Sequence, residues 1–148
     1  MKTYRYTECG LQNVYISGLE PSVDEDGDEV IEIPFINVLH KAIAHGIVKH
    51  TKGMSGAELR FLRSEIGLTQ AELALLVHAD KQTIGRWERG EWPIDSTAET
   101  VIRRLAIEKL LIPFDQGIDV LARSSVQTAE TQPININATD QGYALEAA

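Results

Sequence analysis

Three times between residues 55 and 112 a hydroxyl residue is followed three positions later by glutamate: Ser55 with Glu58, Thr69 with Glu72, and Ser96 with Glu99. Each pair is a capping-box pattern, in which hydroxyl and carboxylate satisfy the free amides of a first helical turn. Each precedes apolar residues at helical spacing: Leu59, Leu62 and Ile66, then Leu73, Ala74 and Val77, then Val101, Ile102 and Leu105. Cap and periodicity are separate requirements of one helix, so their repeated coincidence confines this stretch to a helical bundle. A further short helix is expected after Asp80, a suitable N-cap, carrying Ile84 and Trp87 inward and ending at Gly90. Gly67 sits just past the first helix, where a left-handed residue is wanted. Pro113 should stop the helix that starts at Ser96.

Upstream the period changes. NVYIS (13–17) and EVIEI (29–33) alternate β-branched residues and are separated by the acidic stretch from Glu20 to Asp28, which suggests an antiparallel pair with a long connection. Ile36, Leu39 and Ile43 suit a short helix from Ile36 to Ala44, and HGIVKHTKG (45–53) reads as a linker at a domain boundary. Downstream, DQGIDVLARS adds one short helical piece. From Ser124 onward the chain is polar with little periodicity, which predicts a mobile tail dispensable for folding.

Charge neither supports nor excludes a nucleic-acid partner. The net charge is −8, but residues 55–112 carry 9 acids against 8 Lys and Arg, while 1–54 carry 8 against 5 and 113–148 carry 5 against 1. Field falls off over about 8 Å at physiological salt, so the face that meets a polyanion matters more than the total. No run of apolar residues reaches membrane-spanning length, and MKTYRYTECG has no signal-like core. With Cys9 the single cysteine, a reducing, cytoplasmic location is expected and no membrane partner.

Within the bundle, QAELALLVHADKQTIGRWER (70–89) holds two short helices joined by a tight turn around Val77 to Asp80. Ala74 is small where the backbones approach, and Leu73, Val77, Ala79, Ile84 and Trp87 supply a common core. GLTQAELA (67–74) and TIGRWERG (83–90) resemble the helix-turn-helix of the Xre and lambda-repressor family. The resemblance implies a DNA-binding transcription regulator. His78 stands at the turn position where that family has glycine, so a left-handed histidine is expected, a conformation His tolerates better than most residues.

The second helix of such a motif lies in the major groove with its first turn nearest the base edges. Lys81, Gln82, Gly85 and Arg86 are expected on its outward face. Gln pairs bidentately with adenine and Arg with guanine. Gln70 and Thr83 match family positions that touch phosphate or brace the recognition helix. Arg89 completes the DNA-binding set of Gln70, Lys81, Gln82, Thr83, Arg86 and Arg89. Trp87 is assigned to the core, and Glu88 to a surface ion pair of little weight with Arg89 or an upstream arginine.

Residues 1–112 are also similar to the YgiT/MqsA-type antitoxin regulators, in which a small zinc-binding β domain precedes this helix-turn-helix. SGAELRFLRSEIGLTQAELA (55–74) carries most of the likeness, and ECG (8–10) is similar to their C-x-x-C-G half-site. Tetrahedral zinc needs four ligands, and a chain with one cysteine, with Tyr6 where a second would stand, cannot form a thiolate site. His40, His45 and His50 are spaced five apart and share no helix face, so no metal and no cofactor are expected. No phosphate loop or nucleophile–base motif is visible, and no enzymatic activity is expected. The chain therefore reads as α+β: a small β-rich domain and linker over 1–53, an all-α helix-turn-helix bundle of four to five helices over 54–112, then 113–148. Its partners would be double-stranded DNA, a second copy of itself through the helix from Ser96 to Leu111, and a toxin from a neighbouring gene. The alternative is a toxin-neutralising protein acting mainly through residues 1–54.

Overall fold

The computed structural model describes residues 3–126 and 131–146. Short strands β1 (Thr3–Arg5), β2 (Val14–Ser17), β3 (Ser22–Val23) and β4 (Glu29–Val30) precede six helices. These are α1 (Ile36–Lys49), α2 (Gly56–Ile66), α3 (Gln70–Val77), α4 (Lys81–Glu88), α5 (Ser96–Lys109) and α6 (Ile118–Ser124). Strands β5 (Ile134–Thr139) and β6 (Gly142–Leu145) close the chain, and the fold is α+β as expected.

The strands pair differently from the sequence expectation. β2 pairs antiparallel with β1 and parallel with β5, which pairs antiparallel with β6, giving the order β1-β2-β5-β6. β4 does not meet β2; it forms a separate hairpin with β3, and EVIEI is strand only at Glu29 and Val30. The hairpin is organised by Asp24, whose carboxylate accepts from the amides of Asp26 and Asp28, and Gly27 supplies the positive φ of the turn. A local side-chain turn therefore overrides the long-range pairing that alternation suggested.

The expected tail is the larger correction. Residues 134–145 build half of the sheet, with Ile134 and Ile136 buried beside Val14 and Ile16 of β2. ININ alternates buried and exposed, but a strand so short declares itself only when a neighbour covers its apolar side. Residues 127–130 and 147–148 of that expected tail lie outside the described residues.

Helix α1 runs through the expected linker to Lys49. Gly46, read as punctuation, is a packing residue: a Cβ there would lie 2.8 Å from Ile134 Cγ2 and 3.2 Å from Leu145 Cδ2. Close approach of helix to sheet offsets glycine's helical cost.

The bundle follows its caps. Ser55 with Glu58 and Thr69 with Glu72 form complete capping boxes. Gly67 and His78 adopt left-handed conformations at φ 89° and 56°. The third box does not form. Asp95 caps α5 by accepting from the Ala98 amide, leaving Glu99 free to turn inward. Helix α5 ends before Pro113 can act, through Leu111 at φ 54° and a bond from the Ile112 amide to the Ile107 carbonyl. Of the apolar residues on the helix expected at a dimer interface, Ile102 and Ile107 are buried in the chain's own core, while Val101 and Leu111 remain exposed.

Glu99 meets Arg103, whose side chain is wholly buried. The Arg103 guanidinium also donates to the carbonyls of Val48 (3.0 Å), His50 (2.8 Å), Lys52 (2.7 Å) and Ser124 (3.3 Å). Burial pushes the Glu99 carboxyl up against the downward pull of Arg103.

Two predictions follow from this packing. Arg103→Ala leaves a buried carboxylate and several carbonyls unpaired, so chemical denaturation should register a loss of about 3–5 kcal/mol. Ending the chain at Ser124 uncovers two buried isoleucine positions worth about 1.5–3 kcal/mol each, and thermal melting should fall accordingly. A truncated chain melting like the parent would show the second sheet half to be dispensable.

Candidate nucleic-acid interface

Helix α4 presents two contrasting faces. Ile84 and Trp87 are buried, 0% and 6% exposed, while Lys81, Gln82 and Arg86 face solvent. Asp80 starts the helix by accepting from the Thr83 amide at 2.7 Å. Hydrogen bonding to Thr83 holds the Asp80 carboxyl below its ordinary value, so the cap stays charged at neutral pH. Gly90, at φ 75°, follows the helix and donates to the Trp87 carbonyl.

The orientation of α4 rests on Glu88. Its carboxylate receives Arg63 Nε at 2.6 Å and Arg63 Nη2 at 3.0 Å, and Gln70 Nε2 at 3.0 Å. Arg63 Nη1 donates to the Leu68 carbonyl at 2.9 Å. One carboxylate therefore ties α2, the start of α3 and the end of α4 together. The Glu88 side chain is only 4% exposed, so the expectation of a weak surface pair is corrected. Sequence spacing named an upstream arginine as partner but could not give the burial that makes the pair count. Packing at this joint is equally close: a Cβ on Gly56 would stand 2.2 Å from the Trp87 carbonyl oxygen.

The six residues singled out from the sequence divide by position. Gln82 and Arg86 share the open face of α4, with Lys81 beside them at its first turn. Thr83 is half-buried and contributes its amide to the Asp80 cap. Gln70 bonds Glu88 and so occupies the bracing position. Arg89 is paired with Glu91 at 2.8 Å and reaches back across Gly85, which is buried and not on the open face. Sequence reasoning missed the setting of Arg86, whose guanidinium lies 4.4 Å from the centroid of the Trp92 ring. Trp92 is 46% exposed, so the pair stands at the surface. Lys81 and Arg86 enter no ion pair among the described residues.

Two of the three candidate histidines, His40 and His50, are held away from α4 by ordinary hydrogen bonds. His40 lies between the Tyr6 hydroxyl (3.0 Å) and Glu65 (2.8 Å), and His50 meets Glu58 at 2.9 Å. Burial pushes the Tyr6 phenol up to about 12, which keeps it a donor. Tyr6 thus fills the core at the cysteine-like position and ties β1 to α1. Among the described residues no three His, Cys, Asp or Glu side chains gather as a metal site, and no helix is long and apolar enough to cross a membrane.

Paired short helices, a capped second helix with an open polar face, and a braced end give the arrangement of a helix-turn-helix. Residues 56–106 match the protein family described as "Helix-turn-helix domain", which extends from α2 into α5. No curated protein and no solved structure matches the chain.

Replacing Glu88 by Ala strands Arg63 in a largely buried site and should cost up to about 3–5 kcal/mol in denaturant. Glu88→Gln, which keeps shape and one acceptor, should lose less. Equal stability of both variants with the parent would mean that the brace does not hold α4.

Proposed function

We propose that this chain is a sequence-specific, non-catalytic transcriptional regulator of the cytoplasm, an antitoxin-like repressor that binds a palindromic operator as a homodimer. The observation that carries this reading is the placement of Gln82 and Arg86 on the exposed face of a helix whose opposite face is buried. In that arrangement Gln82 reads adenine and Arg86 reads guanine in the major groove. Lys81, Thr83 and Arg89 position the protein on phosphate, and Gln70 acts at the brace beside the amides of the α3 start. Contact between two copies would use the outward side of α5 and the turn after it, where Val101 and Leu111 are exposed. The antitoxin-like reading assigns residues 1–53 to a toxin from a neighbouring gene.

The test is a competition assay over a randomised site library. Gln82→Ala and Arg86→Ala should each cost about 1–3 kcal/mol on the selected operator and relax preference at one or two base pairs. Two inverted half-sites should emerge about 34–36 Å apart or at a multiple, and inserting about five base pairs between them should abolish cooperative binding. Folded variants that select the same sites with parental affinity would remove α4 as the reading helix and leave toxin binding as the main role.

A further inference from the structure

Away from α4 the molecule carries an open groove of about 890 Å³ between α1, the β5–β6 pair and the segment that follows α5. That volume falls within the roughly 300–1,000 Å³ of small-molecule sites. Its apolar lining includes Val38, Ile112, Pro133 and Leu145. Along one wall stand Lys41, His45 and Lys49, four residues apart on α1, so they rise in a single row at about 6 Å per step.

The row brings two cations to one wall of an apolar groove. The net charge is −8, yet neither Lys41 nor Lys49 enters an ion pair among the described residues. Glu146 is the one acid among the groove's lining residues. Two ammonium groups with no ion pair among the described residues, beside an apolar trough, favour a ligand that is apolar in body and negative at one end. A neutral apolar molecule would gain nothing from the exposed row, and a highly charged one would gain little from the trough.

We propose that this groove is a binding site for a small organic anion, an apolar ring or chain bearing one acidic group that lies against Lys41, His45 and Lys49. The state of His45 agrees with this. Burial, then Lys49 and Lys41, holds its imidazole below the ordinary value, so it is neutral at physiological pH and free to donate to an anion without a competing charge.

Two dyes of the same skeleton test the charge requirement on the full chain. Anilinonaphthalene sulfonate carries the acidic group, and phenylnaphthylamine lacks it. Fluorescence titration should show the sulfonate saturating at one molecule per chain and binding at least about tenfold more tightly than the neutral dye. The double variant Lys41→Gln, Lys49→Gln should weaken the sulfonate by about tenfold with little effect on the neutral dye. Arg60→Gln, outside the groove, should change neither. Both lysines are exposed, so melting of the variant should match the parent. Equal affinity of the two dyes for the parent overturns the proposal, whatever the variant does. So does the absence of saturable sulfonate binding, or binding that the double variant leaves intact. DNA enters none of these readouts, so the outcome is independent of the operator reading.

Discussion

A guanidinium can be taken wholly out of water only where its donors meet acceptors fixed in place, and Arg103 is so placed in the middle of this chain. The carbonyls that receive it belong to the end of α1, to the link that follows and to the end of α6. Carbonyls at helix ends lack intrahelical partners, and here the Arg103 side chain supplies them. Glu99, one helical turn away, accepts two of its bonds and matches its charge. A lysine could offer one point of charge there but not a planar fork with donors in several directions. One side chain therefore ties the ends of α1 and α6 to α5.

From that junction order spreads to both sides through a second buried carboxylate. Glu58 closes the capping box of α2, accepts from His50 at the end of α1 and accepts from Asn13 beside β2. Asn13 also bonds the carbonyl of Gln132 just before β5. The sheet, α1 and the first helix of the helix-turn-helix unit thus meet on one residue. The buried apolar side chains of all of them form one continuous core.

The same device recurs where the candidate interface is set. Glu88 does for α4 what Glu58 does for α2, joining three elements with a carboxylate that water hardly reaches. Its effect is to hold the buried face of α4 inward so that Gln82 and Arg86 stay outward. The overall negative charge is compatible with this, because the acids lie mostly outside residues 55–112 and the open face of α4 carries Lys81 and Arg86. Trp92 gives Arg86 a surface to rest on, at little cost in mobility.

The sequence by itself determined what is decided within a few residues: two of three capping boxes, the left-handed turns at Gly67 and His78, and the opposite faces of α4. It also placed Lys81, Gln82 and Arg86 on the open face, since helical period separates them from Ile84 and Trp87, though it wrongly added the buried Gly85. Tertiary structure decided the rest. Gly46 was indistinguishable from a linker glycine until Ile134 stood against it, and ININ from a polar tail until β2 and α1 covered it. Glu99 left its expected cap to Asp95 and turned inward to meet Arg103, one helical turn along. Local hydrogen bonds and periodicity are written in neighbouring residues, whereas strand partners and the burial of a charge depend on residues as far apart as Asn13 and Gln132, which only the folded chain brings together.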